Sequence, residues 1–186
     1  MLDGAARVEK LAEEVARSGD GAIAMTDHGN VFGAFDFYKT MKSAGVKPII
    51  GIEAYVAPES RFEKKRVKWA EGGEDDVSGG GAYTHMTLWA ENNVGLANLF
   101  RLSSLASLEG FYYKPRMDRE LLSQYGQGLI ATTGCAAGEI QLALEWGHIT
   151  KPGRLQQITA IFLEQIITLL KLWIMTLKLK DVLKMI

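Results

Sequence analysis

An α/β fold is predicted from three features of the sequence. A short apolar run, Ala22-Ile23-Ala24-Met25, sits between two segments with helical spacing. A second run, Val46 to Ile50, follows the next helical segment, and Leu129-Ile130-Ala131 repeats the pattern further along. Runs this short, bounded by glycines and alternating with helical periods, are the signature of a barrel or a doubly wound sheet.

The elements follow in order. Ala5 to Arg17 places Val8, Leu11, Ala12 and Val15 on one helical face, and Gly19 and Gly21 close it. Strand Ala22–Met25 comes next, then an aromatic-rich helix from Phe32 to Met41 that Gly45 ends. The strand from Lys47 to Ala57 carries Pro48 at its start, where a missing amide donor is tolerated. Glu59 to Gly81 runs from mixed charge, including Arg61, Glu63 and Lys65, to Gly79-Gly80-Gly81, and the segment 59–82 reads as a mobile, solvated loop. A strand from Tyr83 to Ala90 carries His85. A helix from Val94 to Leu108 is started near Asn92 or Asn93. Phe111 to Arg116 reads as an aromatic-basic turn. Asp118 can cap a short helix over Arg119–Gln124, and Glu139 to Glu145 is the next helix.

Bulk composition narrows the function. With 186 residues, 47% apolar and 23% charged, the chain can build one domain with a core. A net charge of -1 gives no electrostatic signature of its own for nucleic acid or membrane. One cysteine rules out an intrachain disulfide and fits a reducing cytoplasm. The N-terminus lacks the basic flank and apolar core of a signal peptide. Glu164 and Lys171 interrupt the most apolar stretch, so no membrane span is expected.

The strand ends carry the chemistry. His28 lies just past Ala22–Met25, and Glu53 follows the apolar core of the next strand. Consecutive strands of a β/α pattern thus deliver a His and a Glu to one edge, where α/β folds build their sites. His85, Cys135 and Asp3 complete the candidate metal ligands, a mix that suits Zn, Mn or Fe. The plainer readings are a hydrogen-bonded His85, a core Cys135 and a helix-capping Asp3. No Ser/His/Asp triad, Walker loop or dinucleotide fingerprint is present.

Met1 to Ala6, Thr26 to Asn30, Gly51 to Val56, Gly110 to Asp118 and Ala131 to Cys135 follow one another over roughly residues 1–150. Together, and in this order, these five segments resemble the PHP (polymerase and histidinol phosphatase) domain of bacterial DNA polymerase III alpha subunits. The resemblance implies a distorted β/α barrel whose strand ends hold a metal cluster able to support phosphoesterase or 3'–5' exonuclease chemistry. It places Asp3, His28, Glu53, His85 and Cys135 at ligand positions. It implies DNA and other polymerase III subunits as partners, DNA replication as the process, and polymerase chemistry in regions that follow this domain. The family also supplies a His-x-His pair before the Met-Leu-Asp-Gly segment and a late Asp-x-His pair. Neither pair occurs in these 186 residues, so the expectation is an incomplete barrel lacking its first and last strands, with a weakened metal site and little or no activity of its own. Two alternatives stand beside this reading: a stand-alone PHP phosphoesterase, and a non-catalytic interaction module.

After Trp146-Gly147-His148 the resemblance stops, and residues 151–186 read as a helical tail outside the family pattern. Joining the third base of each codon to the first two of the next lets Gln156 to Leu169 read A-D-Y-R-D-I-F-G-A-D-N-Y-F, which is similar to the family's continuation. Leu170 to Val182 can continue it as E-I-M-D-H-D-L-E-I-E-R-R; Trp173 and Met175 have single codons, and the displaced triplets they begin must both encode Asp, where this reading has D. A frameshift from about Arg154 onward is therefore expected.

Overall fold

The computed structural model describes residues 6–67, 79–135 and 137–145. Asp3 and the frameshift expectation for residues 151–186 lie outside them, as do residues 68–78 of the segment 59–82.

Helix α1 (Val8–Ser18) turns its buried Ala12 and Val15 inward, and Gly19 ends it in the left-handed conformation at φ 80°. Strand β1 (Ala22–Met25), helix α2 (Ala34–Ser43) and strand β2 (Lys47–Val56) form the β/α/β unit expected from the alternation. β1 and β2 pair in parallel, with Ala22 opposite Lys47 and Met25 opposite Ile50. Phe37 and Met41 of α2 pack into the core beside Ile50 and Ile52.

The chain then departs from a purely parallel order. Strand β3 (Thr84–Ala90) runs antiparallel to β2, and β5 (Leu129–Thr132) runs antiparallel to β3. A doubly wound parallel sheet is thereby excluded for this region. The sheet among the described residues is mixed, ordered β1-β2-β3-β5, with the two-residue strand β4 (Arg116–Met117) parallel to the end of β2. The expected turn over Phe111 to Arg116 is real at its tip, where the Tyr112 amide donates to the Lys114 carbonyl at 3.1 Å, but its last residue belongs to β4.

Helix α3 (Asn93–Leu108) covers the sheet through Leu99, Leu102 and Ala106, and Asn92 caps it by accepting from the Gly95 amide. Asp118 caps α4 (Arg119–Tyr125) by accepting from the Leu121 amide at 3.0 Å. Helix α5 (Glu139–Glu145) follows β5. Among the described residues, no helix is long and apolar enough to cross a membrane.

One part of the loop expectation differs. Arg61 is buried rather than solvated. Its amide and Nη1 bond the Asp118 carboxylate, its Nε lies 2.6 Å from Glu109, and Nη1 also reaches Glu120 at 2.9 Å. Burial alone would lower the Arg61 pKa, but these three carboxylates outweigh it and raise it. Arg116 is fully buried and donates instead to backbone carbonyls of Gly110, Ala82, Arg61 and Glu63. Desolvation lowers its pKa. These two arginines fasten the segment after β2 to the β4–α4 corner.

Candidate metal centre

The site begins with strand register. The Gly29 amide donates to the Glu53 carbonyl at 2.9 Å, and the Glu53 amide to the Asp27 carbonyl at 3.0 Å. This continues the β1–β2 register three residues past the end of β1 as an isolated parallel bridge between His28 and Glu53. Paired residues in a ladder project to the same face, so the two side chains meet: His28 Nε2 lies 3.3 Å from Glu53 Oε2.

His85 arrives from the other side of β2. It pairs with Tyr55, two residues beyond Glu53, so it is the diagonal cross-strand neighbour of Glu53 on the same face. Its Nδ1 lies 2.6 Å from Glu53 Oε1. Because β3 is antiparallel, a histidine near its start shares the edge reached by the ends of β1 and β2.

Cys135 follows β5, which runs back toward that edge. Its Sγ lies 3.6 Å from Glu53 Oε1 and 3.5 Å from His85 Nδ1. The Gly138 amide donates to the Cys135 carbonyl, and the His85 amide to the Ala137 carbonyl, so the segment after β5 is tied to the start of β3. Cys135 is exposed rather than a core residue. Burial of the sulfur itself, followed by the Glu53 carboxylate, pushes the thiol pKa up, against a backbone hydrogen bond that lowers it.

Glu53 is therefore the hub, with one carboxylate oxygen toward each histidine. Ligand atoms of His28, Glu53 and His85 all lie within 4.8 Å of one another. Around a tetrahedral ion with bonds of about 2.0–2.3 Å, neighbouring ligand atoms stand roughly 3.3–3.8 Å apart. The contacts of Cys135 with Glu53 and His85, and of His28 with Glu53, already fall in that range. Two imidazoles, a carboxylate and a thiol form a donor set fit for a divalent transition metal. Three of the five sequence-derived candidates thus converge, and Cys135 borders two of them; Asp3, the fifth, lies outside the described residues.

An aromatic wall surrounds the cluster. Tyr55 meets His85 edge-on with ring centres 5.2 Å apart, and Tyr83 stacks on His85 at 5.8 Å. Burial, then the neighbouring Tyr83 and Glu53, raises the Tyr55 pKa. Gly29, at φ 72°, lies under the Tyr55 ring, and a Cβ there would stand 2.7 Å from it. The Asn30 side chain donates to the His28 carbonyl and accepts from the Phe32 amide, which fixes the turn that carries His28. Sequence reasoning did not single out Tyr83 or Arg116. Tyr83 had only its position two residues before His85 as a signal, and Arg116 only its place in the aromatic-basic segment.

Comparison with known proteins bears on the same residues. The PHP domain family matches residues 1–172, which runs past His148, after which the resemblance was expected to stop. The chain is 59% identical over 153 residues to a DNA polymerase III subunit alpha of Saccharopolyspora erythraea, covering 77% of this chain and 13% of that protein. It is 56% identical over 151 residues to the Mycobacterium leprae subunit alpha, covering 80% and 13%, and 50% identical over 165 residues to that of Thermus aquaticus, covering 87% and 13%. The chain thus spans about an eighth of the length of these curated relatives. The match over most of its length and the strand-end cluster agree: this chain belongs to the PHP domain family.

Proposed function

We propose that the chain is the PHP portion of a replicative DNA polymerase III alpha subunit, and that its strand-end cluster is a divalent-metal site for phosphodiester hydrolysis. The observation that carries this reading is the convergence of His28, Glu53 and His85 on one point, with the Cys135 sulfur against both Glu53 and His85. His28, Glu53, His85 and Cys135 would hold the ion, joined by Asp3, with Zn, Mn or Fe as the metals suited to this donor set. When bound, such an ion polarises a phosphoryl oxygen and lowers the pKa of its water.

The chain's own residues orient and shield. Glu53 aligns both imidazoles, and Tyr55 and Tyr83 wall one side against water. DNA and other polymerase III subunits are the proposed partners, and the cytoplasm the proposed compartment. Nucleotide addition is assigned by the resemblance to regions that follow a PHP domain.

The family's His-x-His and Asp-x-His pairs are not among these 186 residues. The proposed behaviour of this chain alone is therefore weak metal binding and little or no exonuclease activity. The test is metal content after equilibration with Zn²⁺ or Mn²⁺, followed by incubation with an end-labelled primer–template. Weak but saturable metal binding without nucleotide release supports the reading. Absence of any metal binding refutes the metal site, and robust metal-dependent release refutes the predicted inactivity.

A further inference from the structure

The turn between α3 and β4 holds a feature that neither the core nor the metal cluster requires. Tyr113 adopts φ 60°, the one positive φ of a non-glycine residue among those described. A bulky side chain in this region is a strained outlier, and such strain persists where the chain gains something from the display. What is displayed is an aromatic ring: Tyr113 is 59% exposed. Tyr112 packs edge-on against it with ring centres 4.5 Å apart, and that ring in turn lies 4.9 Å from the buried Arg116 guanidinium. The strained ring is thus braced by Tyr112 while more than half of it stays exposed.

Two cations flank it. The Arg66 guanidinium lies 5.0 Å from the Tyr113 ring centre. Lys114, the next residue, is exposed and places its Nζ 5.7 Å from the Tyr55 ring centre. Tyr55 contacts both His28 and His85. Exposed Tyr113 and Lys114 are consecutive in the chain, and from Lys114 a path of contacts leads through the buried Tyr55 ring to the metal ligands. Pro115 packs beside Gly29, in the turn that carries His28, so the path is fixed at both ends.

We infer that this path is a subsite for the end of a single-stranded nucleic acid, in which a base stacks on Tyr113 and the adjoining phosphate lies against Lys114. Every base has a π-face, so a lone ring accepts any base, and cations beside it meet the phosphates. A duplex, with its bases already stacked, cannot use the ring. The inference rests on the phosphodiester reading proposed above, for it leads the strand toward the cluster.

The test is fluorescence anisotropy of the full chain with a labelled oligothymidylate of about eight residues, beside a duplex of equal length. Metal content is measured on the same samples. Wild type is expected to prefer the single strand. Tyr113→Phe should bind as wild type does. Tyr113→Gly relieves the strain and removes the ring, so it should melt no lower than wild type while binding about tenfold more weakly. Lys114→Ala should reduce the slope of log affinity against log salt by about one. Unchanged oligonucleotide affinity in Tyr113→Gly, or equal affinity for duplex, overturns the inference. Metal binding without oligonucleotide binding overturns it while leaving the metal site standing, and ring-dependent oligonucleotide binding without metal supports it while the metal site falls.

Discussion

Glu53 and His85 sit on antiparallel strands, 32 residues apart, with Oε1 and Nδ1 separated by 2.6 Å. The contact is diagonal across the β2–β3 ladder, so it is set by register rather than by a loop. A one-residue slip of β3 would send His85 to the opposite face. The cluster is accordingly as rigid as the sheet that carries it.

Glu53→Gln keeps the shape of the hub and removes its charge. Metal affinity should fall at least tenfold, a loss no smaller than the ~10–100-fold typical of residues that only support ligands. Competition against a chromophoric chelator measures it. Affinity equal to wild type would place the ion elsewhere.

Cys135→Ala tests the thiol separately. A soft sulfur favours zinc over manganese, so the substitution should weaken Zn²⁺ binding more than Mn²⁺ binding. Parallel titrations with the two ions give the ratio, and a proportionate loss for both would argue that sulfur is not a ligand.

Gly29→Ala attacks the floor of the site. The new methyl would stand 2.7 Å from the Tyr55 ring at a φ of 72°. A cost of about 1–3 kcal/mol is expected from the backbone conformation and the displaced ring. A urea titration should show a lower midpoint with an unchanged slope. An undiminished midpoint would mean that the ring moves freely.

Asp118 makes the corner acid-sensitive. Burial would raise its pKa, but the amides of Arg61 and Leu121 and the Arg61 guanidinium outweigh burial and hold it below the usual carboxylate value. Folding therefore favours the charged form. The stability it contributes is present above the unfolded pKa of about 3.9 and is lost as pH falls through the lower folded value. Asp118→Asn should flatten that part of the acid-unfolding curve. Asp118→Ala, which leaves Arg61 with Glu109 and Glu120 but removes its buried partner and the α4 cap, should cost about 1–3 kcal/mol at neutral pH.

The tail has its own test at the level of DNA. Every codon from Gln156 to Val182 is expected to permit the displaced reading. A single incompatible codon within that span overturns the frameshift proposal.

Much of the fold was legible because its strands are short apolar runs between glycine-closed helices; Ala22–Met25 and Lys47–Val56 are of this kind. His28 and Glu53 were legible for the same reason, since parallel strands joined by a helix end at a common edge. The direction of β3 was not, because alternation along a strand is the same read either way. β4 was too short to leave a period. Arg61 looked solvated because it stands in a charged run, and its main partner, Asp118, is 57 residues away. Charge patterning describes neighbours in sequence and is silent about distant ones.

Arg116 carries a consequence for how the molecule assembles. Its guanidinium gathers carbonyls of Gly110, Ala82, Arg61 and Glu63, at separations of 6, 34, 55 and 53 residues. None of these acceptors can be supplied by its own strand, and a guanidinium sealed away with half of them missing would be worse than one left in water. The knot is expected to tie late, once β2, β3 and α3 have brought the acceptors within reach, and it closes loops whose entropy has to be met beforehand. Disturbing Arg116 should slow the last stage of folding more than it alters the early collapse, because the four segments it joins meet only when the sheet and its covering helix are in place.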